Sequence, residues 1–289
     1  MEFINLSPGH EEDMLLIHGA RKTAVIDAGM AYDAPLMIEA LRKRLSGRAL
    51  DYVFLTHSHY DHIGAVPYLR EEWPALTVFA SAHAQKVLTS PNAQRLIGEL
   101  FVSAAEFFGK EYKKGYDPAK LCVDCVLDEG DEVDLGGETV RAYVTKGHTN
   151  CGLSFYMPRS DMMFAGESCG VLAQRGVAYP VCLTSYDDSI ASIAKLRAVG
   201  ARHVTAAHFG RIPDGEVPLF WQCLEDAAVE LKRFVYAMLR EGNSEEAIYT
   251  AYTRRYRRTS SSQQPERAYE INTRAMLATL RKRYEKGLA

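Results

Sequence analysis

The order of periodicities along the chain predicts an α/β fold followed by an all-helical tail. Short apolar runs that read as buried strands alternate with segments of helical period, residues 121–166 are almost wholly strand-like, and beyond Pro218 the strand signals stop. At 289 residues, 47% hydrophobic and 25% charged, the chain has ordinary globular composition and enough length to bury a core without covalent staples.

Residues 13–28 alternate apolar segments around His18-Gly19-Ala20-Arg21-Lys22, which predicts a hairpin ending in Ala24-Val25-Ile26-Asp27-Ala28-Gly29. Leu36, Ile38, Ala40, Leu41 and Leu45 predict a helix with Asp33 as its cap. Tyr52-Val53-Phe54-Leu55-Thr56 reads as a buried strand, Gly64 to Glu72 as a helix, and Thr77 to Ala80 as another strand. From Ala82 to Tyr112 the pattern is helical, rich in Phe and Ala, and broken at Pro91-Asn92; it predicts a cap inserted between strand-rich regions. Five strands follow within 121–166, separated by Gly and Asp turns, then a helix from Tyr186 to Val199 and a short strand from His203 to Ala207. In the tail, Phe220, Leu224, Ala227, Leu231, Val235 and Met238 keep a 3.6-residue period, and Ile271, Ala275, Ala278 and Leu280 repeat it after a loop at 260–265. The expected division is a main domain over 1–216, with a helical cap at 82–120, and a helical extension over 217–289.

The net charge of −3 gives no general attraction to nucleic acid or anionic membrane. Arg254, Arg255, Arg257 and Arg258 have acids nearby and read as a solvated helix face. No apolar stretch approaches the roughly 18 residues that span a bilayer, and Met1 to Asp13 shows neither a basic start nor an apolar core of a signal peptide. A cytoplasmic protein is expected. Six cysteines are then read as reduced thiols, the lone Cys122-Val-Asp-Cys125 being a weak zinc signal without a second pair.

The segment Thr56-His57-Ser58-His59-Tyr60-Asp61-His62-Ile63-Gly64 packs three imidazoles and a carboxylate just after a strand. Buried without partners, such groups cost solvation energy, which a shared cation would offset. Their nitrogen and oxygen donors suit zinc, iron or manganese, and a structural zinc site would instead be rich in Cys. Further donors follow other strands: His148 in Thr-Lys-Gly-His-Thr-Asn-Cys-Gly, Glu167 in Phe-Ala-Gly-Glu-Ser, and His208 in Ala-Ala-His-Phe-Gly. His10, His18, His83 and His203 lie in turn, helix-start or strand-start contexts and read as structural or solvated, and Tyr60 reads as a packing residue.

In the order and spacing of these motifs, over about residues 13–212, the chain resembles the metallo-β-lactamase-fold hydrolase superfamily. The resemblance implies an αββα sandwich of two mixed sheets with the site at one edge. It also implies one metal on His57, His59 and His148, and a second on Asp61, His62 and His208, most simply zinc, with iron or manganese as alternatives. Glu167 stands where the superfamily usually has a bridging aspartate, so it either bridges from a set-back backbone, binds one metal, or acts from behind the ligands. A metal-bridged hydroxide would attack the substrate, with Asp61 orienting or deprotonating the water as well as ligating.

Secreted β-lactamases, flavodiiron oxidoreductases and the long nucleic-acid-processing members fit less well, and the basic pattern that binds glutathione in glyoxalase II is not visible in the tail. The chain is most similar to thioesterase or lactonase-like members with C-terminal helices, loosely to the quinolone-signal-response thioesterase. The expected substrate is a small thioester, ester or lactone, with Tyr179, Tyr186 and Arg211 as candidate contacts and the helices at 82–112 and 217–285 walling the pocket. The alternatives are a phosphodiesterase and a metal-binding ligand sensor without turnover. Neither nucleic acid nor membrane is an expected partner; a homodimer through the tail is.

Overall fold

The computed structural model describes residues 3–5, 14–112, 115–257 and 264–288; His10, Arg258 and residues 260–263 of the expected loop lie outside the described residues. The chain forms two compact units, Met1–Val144 with Leu153–Phe164, and Thr145–Gly152 with Ala165–Ala289.

In the first unit a mixed sheet carries β1 (Phe3–Asn5), β2 (Leu15–His18), β3 (Thr23–Ile26), β4 (Tyr52–Phe54), β5 (Thr77–Ser81) and β6 (Cys125–Leu127) in chain order. The β1-β2-β3 pairs are antiparallel, and β3 through β6 pair in parallel. Parallel neighbours need crossovers. These are α1 (Ala34–Leu45) between β3 and β4, then α2 (Tyr60–Ile63) and α3 (Val66–Glu72) between β4 and β5. The predicted helical insertion is α4 (Ala82–Leu88) and α5 (Pro91–Phe107), broken where Pro91 starts a new helix. Asp33 sits at the N-cap of α1 but its side chain makes no cap hydrogen bond; a preceding 3₁₀ turn, Ala31–Asp33, and Pro35 in the first turn start the helix instead.

Strands β7 (Glu132–Asp134), β8 (Thr139–Val144), β9 (Leu153–Met157) and β10 (Met162–Ala165) form an antiparallel meander that faces the first sheet. Alternate residues of both sheets meet in one core, where Phe54 stacks on Phe79 at 5.0 Å and meets Phe155 at 5.5 Å. The fold is the predicted one: two sheets with helices flanking them.

The second unit contains a hairpin that the periodicity does not announce, β11 (Val171–Gln174) and β12 (Val177–Tyr179), turning at Arg175-Gly176. It continues with α6 (Tyr186–Val199), the antiparallel pair β13 (His203–Ala206) and β14 (Gly210–Ile212), and the tail helices α7 (Val217–Arg240), α8 (Glu245–Tyr256) and α9 (Glu266–Glu285). The tail helices bury Leu231, Val235, Ile248, Tyr252, Met276 and Leu280 in a cluster with Cys182 and Tyr186. On α9 the buried residues are Ala268, Thr273, Met276, Leu277 and Leu280, which share Leu280 with the predicted stripe, and Ile271 is 43% exposed. A 3.6-residue period fits both registers; the one that buries the larger Met and Leu side chains prevails. Among the described residues, no helix is long and apolar enough to cross a membrane. Arg255 and Arg257 pair with Glu230 and Glu266 on exposed helix faces, as the charge pattern predicts. All six cysteines are free thiols.

Candidate metal centre

In the first unit the donors are fixed from behind by one buried carboxylate. Parallel pairing of β3 with β4 in the register Ile26↔Phe54 brings Asp27 beside Thr56. Asp27 has a left-handed backbone, φ 58°, and no solvent exposure. Its carboxylate accepts the Thr56 N–H at 2.7 Å, the Thr56 hydroxyl at 2.7 Å and the His62 Nδ1–H at 2.8 Å. Such bonds make a buried carboxylate tolerable.

These bonds also assign the ring protons. His62 must donate from Nδ1, because the carboxylate only accepts, and its Nε2 then carries the lone pair. The single Thr56 hydroxyl proton goes to Asp27, so the same oxygen accepts from His57 Nδ1 at 3.0 Å. His57 therefore also presents Nε2 as a donor to metal. This is the outer support that metal-binding imidazoles need. The His57 ring lies 4.6 Å from that of His59 and 4.1 Å from that of His62, and Asp61 Oδ2 is 3.8 Å from His62 Nε2. Gly64 closes the loop: its N–H donates to Gly29 O at 2.7 Å, and a Cβ there would meet Ala31 N at 2.3 Å, so only glycine fits.

In the second unit the donors gather around Glu167. It opens a single 3₁₀ turn, Glu167–Cys169, directly after β10, and is 7% exposed. Its Oε2 lies 3.0 Å from His148 Nε2 and its Oε1 lies 2.6 Å from His208 Nε2. One carboxylate thus faces two imidazoles with separate oxygens. His148 donates from Nδ1 to Val181 O at 2.9 Å, so a neutral ring turns a bare lone pair toward a carboxylate oxygen. Two acceptors at that distance need a shared proton or a cation between them, and the donor set fits divalent metal ions, which would supply it. His208 keeps a left-handed backbone, φ 58°, between β13 and β14. Such a conformation is uncommon for a side chain of this size and is found where a position has a task.

A pocket in this unit, with a cavity volume of about 60 Å³, has His148 and Glu167 on its wall together with Tyr179, Tyr252 and Tyr256. Tyr179 is therefore beside the donors. The other two candidate substrate contacts stand elsewhere. Tyr186 packs at the start of α6, with Lys232 and Arg283 over its ring at 5.5 and 5.3 Å. Arg211 is exposed on β14 and bonds His203 and Asp214. Asp27 and the α8 and α9 residues of the pocket escape a reading of the sequence. Asp27 stands alone in its segment, and the α8 and α9 residues look like ordinary helix faces. Of the remaining histidines, His18 ends β2, His83 is exposed near the start of α4, and His203 bonds Asp214 at 2.8 Å.

The chain belongs to the metallo-beta-lactamase superfamily, whose profile matches residues 9–168. It is 34% identical over 165 residues to the metallo-beta-lactamase fold-containing protein ST1585 of Sulfurisphaera tokodaii, covering 56% of this chain and 58% of that one. It is 28% identical over 191 residues to a hydroxyacylglutathione hydrolase of Ruegeria pomeroyi, covering 64% of this chain and 56% of the other. The chain thus spans less than two thirds of these relatives. The crystal structure of ST1585 from Sulfolobus tokodaii superposes with a TM-score of 0.61 at 22% identity, covering 97% of this chain and 98% of that one. A metallo-beta-lactamase family protein of Thermus thermophilus, TTHA1429, gives 0.61 at 20% identity, covering 95% and 88%. These two likenesses establish the fold.

Proposed function

We propose that this protein is a metal-dependent hydrolase of small thioesters, esters or lactones. In this reading His57, His59 and His148 hold one divalent ion, and Asp61, His62, Glu167 and His208 hold a second, zinc most simply, with iron or manganese as alternatives. The observation that carries it is the pocket of the second unit, where His148 and Glu167 share a wall with tyrosines of α8 and α9. Bound ions would activate water and polarise the acyl oxygen.

The chain's own groups do the rest. Asp61, partly exposed, is the carboxylate that orients water and takes its proton. Glu167 faces His148 and His208 with separate oxygens. Tyr179, Tyr252 and Met276 supply apolar surface that excludes bulk water from the acyl group. The relative named as a hydroxyacylglutathione hydrolase acts, by that name, on an acyl thioester, which supports the same reaction class.

The test is metal analysis of the purified protein beside a panel of p-nitrophenyl esters, acyl thioesters, lactones and bis(p-nitrophenyl) phosphate. Close to two metal ions per chain and ester or thioester turnover that chelator abolishes are expected. Metal-free protein from supplemented cultures with chelator-resistant turnover overturns the reading. Turnover of the phosphodiester alone assigns a phosphodiesterase, and bound metal with no turnover across the panel assigns a ligand sensor.

A further inference from the structure

His148 stands in the connection 145–152, and the short run 181–185 grips that connection at two points. Val181 O receives the His148 Nδ1–H at 2.9 Å and also the Leu183 N–H at 2.9 Å. Gly147 O, one residue before the imidazole, accepts the Thr184 N–H at 2.9 Å, the Thr184 hydroxyl at 3.0 Å and the Ser185 N–H at 3.2 Å. Gly147 has φ 128°, and a Cβ there would meet Ser189 Oγ at 2.1 Å, so α6 packs directly on its Cα. The ring and the backbone that carries it are thus both held by 181–185.

One peptide plane joins these grips to the tail. The unit between Leu183 and Thr184 is planar, so its C=O and N–H turn together. Its N–H is the donor to Gly147 O, and its C=O accepts the Thr279 hydroxyl at 2.8 Å. Thr279 lies inside α9, where a threonine hydroxyl ordinarily turns back to a carbonyl of the preceding turn. Here it is donated across 96 residues of sequence instead. Release of the Leu183 carbonyl frees the plane to rotate. Rotation loosens the bond to Gly147 and, through Leu183, the Val181 carbonyl that aims the imidazole.

We propose that Thr279 is a positioning residue for His148: its hydroxyl, through the 183–184 peptide, fixes the direction in which the imidazole presents Nε2. The proposal rests on the metal ligands of the reading above and not on the hydrolysis. Direct partners of a ligating imidazole change metal affinity about 10- to 100-fold, and Thr279 acts one step further out, so an effect of about five- to tenfold is expected.

The test is a competitive zinc titration of the metal-depleted full chain against a chromogenic chelator, in wild type, Thr279→Val and Thr279→Ser. Valine keeps the shape and loses the donor, whereas serine keeps the donor. Thr279→Val should weaken one bound zinc ion about five- to tenfold, and Thr279→Ser should stay within about twofold of wild type. Turnover of the best ester or thioester at limiting zinc should fall in step and recover as zinc is added, with KM unchanged. A merely structural bond gives a different pattern, a lower melting temperature of metal-free Thr279→Val with zinc affinity unchanged, and that result overturns the proposal. Equal loss of zinc affinity in the valine and serine variants overturns it as well. Zinc affinities in the expected order without turnover of any substrate sustain the positioning role and remove the hydrolase reading. Wild type that binds no zinc removes both.

Discussion

The first unit gathers His57, His59, Asp61 and His62 on one short loop and braces it from behind with Asp27, whereas the second unit draws His148, Glu167 and His208 from three separate connections. In the first, ring orientation is imposed by a buried carboxylate that is not itself a donor to metal. In the second, His148 and His208 both face a candidate metal ligand, Glu167, through its separate oxygens. The difference teaches where each half is vulnerable. A loop braced from outside keeps its shape when one donor is lost, and a set organised around one carboxylate does not.

The sharpest way to break this contrast is at Glu167. Glu167→Gln should cost about a hundredfold or more in turnover and reduce bound metal toward one per chain, since an amide nitrogen would face an imidazole nitrogen. Glu167→Asp keeps the charge but shortens the reach, and partial metal loss with intermediate turnover is expected. Metal stoichiometry measured with hydrolysis decides: two metals and wild-type rates in both variants make Glu167 a bystander.

A smaller effect is expected at Asp27. Asparagine tolerates the left-handed backbone there and can still accept from Thr56. Its amide, however, would donate toward His62 Nδ1, move the ring proton to Nε2 and block that nitrogen. Asp27→Asn should therefore weaken one metal about 10- to 100-fold, with a folded, cooperative protein by circular dichroism. An unchanged metal titration would show that the brace does not set the tautomer.

The least disruptive probe compares packing around the two halves. Burial pushes the thiols of Cys169, two residues beyond Glu167, and Cys182, next to the carbonyl that receives His148, up to about 12. At pH 8 such a thiol holds about one part in ten thousand as thiolate. Iodoacetamide should label the exposed Cys125 of the first unit and spare both until denaturant is added. Labelling of Cys169 or Cys182 in the native protein would show that the Glu167 side opens freely.

How legible these parts are in sequence follows from where their partners lie. The loop at 57–62 is self-announcing, because donors two residues apart after a strand need no distant partner to be noticed. The strands from β2 to β10 and the break at Pro91 are equally local. Asp27 is not: a single carboxylate after Ile26 acquires meaning only once β3 pairs with β4 in register. The β11–β12 hairpin is hidden because its strands are short and its only turn signal is Arg175-Gly176. The pocket tyrosines are hidden for the opposite reason, since on α8 and α9 they satisfy the helical period and look like packing residues. Tyr186 and Arg211 are polar groups near the right motifs, and local packing uses both for other contacts.

The tail's share in the pocket has a consequence for descent. His148 and Glu167 belong to the same compact unit as α8 and α9, so the wall that meets a guest and the groups that flank it are inherited together. Codons for Tyr252, Tyr269 and Met276 can nonetheless drift without touching those for 57–62. A lineage under pressure from a new compound can redraw its cavity by point changes in two helices and keep its histidine loop intact. Gene duplicates of this chain should accordingly diverge first along α8 and α9, while Asp27, Thr56 and the loop behind them stay fixed.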